Sequence, residues 1–188
     1  MSRLQQLSQH RKFYLMANGP ILIEVAFVAQ MGVTMLIYDR IKEAGISLPT
    51  LEISSAAFRP YVVFEKQLII SGQLPVRDGK PLFVGKVPDV VSVADAQNAA
   101  RLCVVNVLAW AHHATGGDLN LIDRVLRLGG FVATSEGFAD APTVINAASE
   151  LVKQIFGERG SHARIAIGVA SLPLNAPVEV EATFVLKN

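Results

Sequence analysis

Residues 92–111 read SVADAQNAARLCVVNVLAWA. Ser92 is a good helix N-cap, and Asp95, three residues on, acts as a weaker form of the capping-box acid. Ala96, Ala99, Ala100, Cys103, Val104, Val107, Leu108 and Ala111 then keep a helical stripe. So many small residues on one stripe predict a helix lying close against a sheet. Gly116-Gly117 ends it. The flanking sequence must therefore supply strands.

It does so on both sides. Downstream, Asp118 to Ile122 is a connector and Arg124 to Thr134 (RVLRLGGFVAT) is strand-like. Its Gly129-Gly130 pair permits a bulge or a close backbone approach. A second helix is expected from Ala141 to Phe156, with Pro142 in the first turn and an apolar stripe through Val144, Ile145, Ala148, Leu151, Val152 and Ile155. Gly157 and Gly160 close it. Strands Ala163–Ala170 and Pro177–Leu186 follow, joined by SLPLNA. Upstream, 58–64 and 67–71 read as a β-hairpin about Glu65-Lys66, and Pro81 to Val87 as a third short strand. In MLIYDRIKEAGISLP (35–49), Leu36, Ile37, Ile41 and Ala44 share a helical face, Gly45 is a stop and Pro49 forbids continuation. The expected order from residue 58 is βββ-α-β-α-ββ, an α+β fold with two helices of about four turns on one face of the sheet. The other face needs cover.

Composition says what kind of cover. The chain has 188 residues, a formal net charge of +1, 51% hydrophobic residues and 18% charged ones. That excludes intrinsic disorder and gives no electrostatic case for a nucleic-acid partner. With so few charges, a second subunit is the expected cover. The single cysteine, Cys103, rules out a disulfide framework within the chain and reads as core. Residues 1–34 read as an N-terminal extension of a domain spanning 35–188, either an added strand or helix packed on it or upstream sequence included by an early start codon, with Met31 or Met35 the working start. Glu24 interrupts the extension's apolar run, and Phe27 occupies a position where signal cleavage requires a small residue, so neither membrane nor export is expected. The expected compartment is the cytoplasm.

No Gly-rich phosphate loop, nucleophile elbow or H-E-x-x-H motif is present, and His112 and His113 point about 100 degrees apart on a helix, so no metal is expected. Arg164 stands out because its neighbours Ala163, Ile165, Ala166 and Ile167 are apolar. A buried guanidinium needs an anion, either an internal carboxylate or an anionic ligand. In Val178-Glu179-Val180-Glu181-Ala182 the two acids share one strand face. They read as acids in water, as an Arg164–Glu179 ion pair, or as a cleft in which Arg164 holds a carboxylate and Glu179 orients water. Ser71-Gly72 offers a hydroxyl and a backbone N–H at a strand end, and Asn146 sits on a helix amid apolar residues.

Ser71-Gly72-Gln73-Leu74-Pro75, Ala99-Ala100-Arg101-Leu102, Asn106, Asn146-Ala147, and the run from Arg164 through Leu172-Pro173 to Glu179-Val180-Glu181-Ala182 together resemble the YjgF/RidA family. These are the reactive-intermediate (imine) deaminases, often labelled L-PSP endoribonucleases. The likeness spans residues 36 to 188 and is greatest to a bacterial branch with an extra N-terminal helix. It implies a chorismate-mutase-like α+β fold, a homotrimer with ligand clefts between subunits, and hydrolysis of 2-imino or enamine acids to 2-oxo acids and ammonia without a cofactor. In that picture Arg164 holds the substrate carboxylate and Glu179 places or activates water. Ser71, Gly72 and Asn146 lie beside the ligand, and the Ala166 carbonyl accepts from the substrate nitrogen. Two departures stand out. Ala166 replaces a usual Cys, and Phe58 stands where Tyr is common. The resemblance leaves two other readings, a non-catalytic trimer that binds small carboxylates and a ribonuclease. The near-neutral charge and the lack of a basic-aromatic stripe oppose the second.

Overall fold

The computed structural model describes residues 36–51, 53 and 57–188, and residues 36–188 form one compact unit. The expectations for residues 1–34 lie outside the described residues. A short helix α1 (Ile37–Glu43) leads to the hairpin β1 (Tyr61–Phe64) and β2 (Gln67–Gln73). A two-stranded ribbon follows, β3 (Val76–Arg77) with β4 (Lys80–Pro81). Then come α2 (Val93–Ala114), β5 (Ile122–Ala133), α3 (Ala141–Phe156), β6 (Ala163–Val169) and β7 (Val178–Leu186).

The main sheet has the order β1-β2-β7-β5-β6. All its pairings are antiparallel except β5 with β6, which α3 connects as a crossover. The mixed α+β sheet and both helices on one face are as expected. Ser92 caps α2, its hydroxyl accepting from the Asp95 amide at 3.1 Å. The alanine stripe does what its size permits, since Ala96, Ala99, Ala100 and Ala111 are all fully buried against the sheet. Leu68, Ile70, Leu128, Val132, Val178, Val180 and Phe184 face them from the strands.

Three expectations fail. Pro81–Val87 is not a strand. Only Pro81 pairs, and the rest loops to Val87, which makes an isolated parallel bridge to Thr134. Gly85, at φ +123°, carries the chain through a conformation that a regular strand lacks. Leu36 is 58% exposed, because the helix begins after it, at Ile37. α2 has 22 residues, about six turns rather than four.

The far face of the sheet is open among the described residues. Val62, Phe64, Ile69, Ile165 and Ile167 lie on it, between 37% and 67% exposed. Together they form an apolar patch on the strand face away from the helices.

Candidate functional site

Register decides where the candidate residues go. Arg164 sits beside Leu128, which sits beside Ala182, so all three point to the helix face. Glu179 sits beside Phe131, which sits beside Ile167, and these point to the open face. Arg164 and Glu179 therefore lie on opposite sides of one sheet, and the ion pair considered from sequence is absent. The candidate residues fall into two groups.

The first group surrounds Glu179. The β2–β7 register shifts between Ile70 and Gln73, which swings Gly72 beside the acid. Gln73 braces this bulge, its amide donating to the carbonyls of Ser71 at 2.9 Å and Gly72 at 3.1 Å. Its side-chain oxygen accepts from the Trp110 indole at 3.0 Å. A Cβ on Gly72 would stand 1.8 Å from Glu179 Oε1, so the missing side chain is what makes room for the carboxylate. Ser71 is held by the Arg59 carbonyl, which accepts from its hydroxyl at 2.7 Å. The Glu179 carboxyl is half-buried and raised above its usual range, first by loss of hydration and then by the neighbouring Glu181. Glu181 itself pairs with Arg127 at 2.5 Å. Phe58 is 67% exposed and lines a cavity that begins at Gly72.

The second group surrounds Arg164 on the edge strand β6. Its guanidinium donates to Asn146 Oδ1 at 2.9 Å and to Ser149 Oγ at 3.2 Å. Asn146 is exposed on α3 and finds its partner here. Ala166 is half-buried on the same strand face, opposite Gly130. The premise that apolar neighbours bury Arg164 does not hold. It is exposed, because Ile165 and Ile167 point to the open face and β6 has no strand beyond it. Both of its partners are neutral, and no carboxylate lies within 4.0 Å of it among the described residues. A planar cation so held is oriented but not compensated, which suits it to a carboxylate ligand.

Sequence reasoning missed Ser149. It lies three residues after Asn146, the spacing that puts two side chains on one helix face, and that was the available signal. Ser149 also exchanges a hydrogen bond with His162 Nε2 at 3.0 Å. Cys103 is core, fully buried under β7, with its thiol donating to the Val178 carbonyl at 3.6 Å. Among the described residues no cluster of His, Cys, Asp or Glu suits a metal, and no helix is long and apolar enough to cross a membrane.

Comparison with known proteins places this geometry in context. The family described as "YjgF/chorismate_mutase-like, putative endoribonuclease" matches residues 38–184. Protein TCP17 of Trypanosoma cruzi is 39% identical over 149 residues, 79% of this chain and 92% of its own. The crystal structure of Atu1372 from Agrobacterium tumefaciens, a protein of unknown function, is 44% identical with a TM-score of 0.76, covering 81% of this chain and 94% of that one. The Escherichia coli protein TdcF, crystallised with bound serine, shares the fold at 22% identity and a TM-score of 0.51, over 76% of this chain and 97% of its own.

Proposed function

The chain belongs to the YjgF/chorismate-mutase-like family, and from that premise we propose that it hydrolyses reactive 2-imino and enamine acids to 2-oxo acids and ammonia. The observation that carries the reading is Arg164, exposed, aimed by Asn146 and Ser149, and facing no acid of its own among the described residues. It would take the substrate carboxylate through two parallel hydrogen bonds. Glu179, with its raised affinity for a proton, would accept one from water as that water adds to the C=N carbon. Glu179 then returns that proton to the carbinolamine nitrogen, and ammonia leaves as the hydroxyl gives its own proton to water and the C=O bond forms. An imine is already electrophilic, so holding its carboxylate and placing one water is enough to accelerate it.

Because Arg164 and Glu179 occupy opposite faces of one sheet, the proposed site is shared. Arg164, Asn146 and Ala166 come from one protomer, and Ser71, Gly72, Phe58 and Glu179 from its neighbour in a cyclic homotrimer. The open apolar face, with Ile69, Ile165 and Ile167, supplies the surface for that assembly. TdcF, of the same fold, is seen with serine, a small amino acid.

The test is mixing two inactive variants. Arg164→Ala and Glu179→Gln chains are each expected to lose ammonia release from imino acids made in situ by an amino-acid oxidase, with assembly intact. Refolded together in equal amounts, one shared site in four receives both intact residues, so about a quarter of wild-type activity returns. No recovery would place the whole site in one chain. No acceleration by the wild type over the spontaneous rate would replace the enzyme with a carboxylate-binding scaffold.

A further inference from the structure

We propose that His162 is a positioning residue of the carboxylate site, acting on Arg164 through the Ser149 hydroxyl, a proposal that rests on the reading of Arg164 given above. Both hydrogen bonds of the guanidinium leave from one nitrogen. Nη1 donates to Asn146 Oδ1 at 2.9 Å and to Ser149 Oγ at 3.2 Å, which uses both of its hydrogens. Nε and Nη2 make no hydrogen bond among the described residues. These two atoms lie along the guanidinium edge turned away from the arginine stem, and their parallel N–H groups form a fork that matches a carboxylate. One corner of the group is thus the anchor, and the edge beside it is the receiving face.

The anchor is only as firm as Ser149. A serine hydroxyl has one hydrogen, and its direction decides where the lone pairs point. Here that direction is set from beyond the serine. The Gly160 carbonyl oxygen lies 2.6 Å from His162 Nδ1 and can only accept, so Nδ1 carries a proton. In the neutral ring Nε2 is then bare, and it accepts from Ser149 Oγ at 3.0 Å. The Ser149 hydrogen is thereby committed to the histidine, and its lone pairs are left for Arg164. The far end of this chain is backbone. Gly160 is buried at the end of the turn that follows α3, and a Cβ there would stand 2.7 Å from the Val152 carbonyl oxygen and 2.9 Å from Lys153 Cα. Donation therefore runs one way, from Arg164 to Ser149 to His162 to a carbonyl packed on α3. Without the imidazole, the Ser149 hydroxyl is free to turn to the Ile145 carbonyl one helical turn back, the usual alternative for a serine inside a helix. Arg164 would then lose an aligned acceptor and regain motion that a ligand must arrest.

The test measures, on the full chain, the affinity for pyruvate, a 2-oxo acid of the proposed product class, together with KM and kcat for ammonia release. Ser149→Ala and His162→Phe, which keeps a planar ring without an acceptor, are each expected to weaken pyruvate binding and raise KM about five- to ten-fold. Their kcat should stay within about two-fold of wild type, because the carboxylate is held alike in ground state and transition state. His162→Gln, whose amide oxygen accepts from Ser149, should stay within about two-fold of wild type in every parameter. The Ser149→Ala/His162→Phe double variant should bind no more weakly than either single variant, since the two residues act in series. Three results would overturn the positioning role while Arg164→Ala, by abolishing binding, upholds the carboxylate site: wild-type affinity in His162→Phe, His162→Gln as weak as His162→Phe, or single losses that multiply to about twenty-five-fold or more in the double variant. The expected losses of pyruvate affinity, in a chain that does not accelerate imine hydrolysis, would keep the positioning role and overturn the deaminase reading. Pyruvate binding that Arg164→Ala leaves intact, or no binding by wild type, would overturn both.

Discussion

Replacing Gly72 with alanine tests whether the bulge beside Glu179 is there for activity or for folding. The new Cβ would lie 1.8 Å from Glu179 Oε1 and 2.7 Å from its carboxyl carbon. Ordinary contact is about 3.4 Å or more, so the carboxylate must retreat by roughly 1.6 Å. Glu179 has the torsional freedom to do so. Gly72 is exposed and lies outside the left-handed region of backbone conformation, so alanine strains no backbone. Alanine also restricts the unfolded chain, which is worth about 0.4–1 kcal/mol in favour of folding. The thermal midpoint should stay level or rise slightly. Activity should behave differently, because a misplacement of about 1 Å in a reacting group can cost about a hundred-fold. We expect kcat/KM for imine hydrolysis to fall by that factor, about 2.7 kcal/mol of lost transition-state stabilisation. The assay pairs ammonia release with a thermal melt on the same preparation. A variant with wild-type kcat/KM would refute the role given to Glu179. One that melts far below wild type would show that Gly72 serves the fold instead.

Three further outcomes follow from the same geometry. Burial holds the Glu179 carboxyl above its ordinary value, so the folded chain keeps a proton that the unfolded chain releases, and stability falls as pH rises between the two values. Glu179→Gln removes that slope; it should out-melt wild type at pH 7 and lose its advantage at about pH 4, where the unfolded carboxyl is itself largely protonated. An equal difference at both pH values would contradict the burial account. Gly130→Ala would drive a Cβ to 2.6–2.7 Å from three Ile145 side-chain carbons inside the core, an overpacking that costs about 1–3 kcal/mol. Denaturant unfolding should show this loss and its partial relief by Ile145→Val, and a neutral Gly130→Ala would mean that α3 can lift from β5. A chain shortened to begin at Met35 should unfold cooperatively and scatter light as three copies, since α1 already docks Ile37 and Ile41 in the core; aggregated or monomeric material would assign residues 1–34 a structural part.

Most of the fold could be read from side-chain size and period. The sequence pattern bounds the second helix at Ala141 and Phe156, and it runs between those residues. Proline in its first turn and glycine after its end act locally, so no tertiary information was needed. Gly129-Gly130 permits either a bulge or a close approach by sequence; the register is regular there, and the glycines make room for Glu181 on one face and Ile145 on the other. Pro81–Val87 misled because its apolar residues resemble a strand, whereas burial there comes from Val87 wedging beside Thr134 rather than from pairing. The site was legible as residue types but not as geometry. Glu179 could be assigned to a face by parity within its own strand. Its relation to Arg164 depended on which strand lies between β6 and β7, and local sequence does not encode that order.

The strand order has a consequence for how the molecule comes into being. β7 (Val178–Leu186), which follows every other strand in the chain, lies in the middle of the sheet between β2 and β5. During synthesis the ribosome delivers the hairpin first and the β5-α3-β6 crossover later, and the strand that joins the two emerges after both. Chains grow N-terminus first at about 5–20 residues per second, and most contacts of β7 reach far back in sequence. The sheet therefore cannot close before residues 178–186 have been made. The strand that completes the sheet also carries Glu179, so an incomplete translation product would lack both its keystone and its acid.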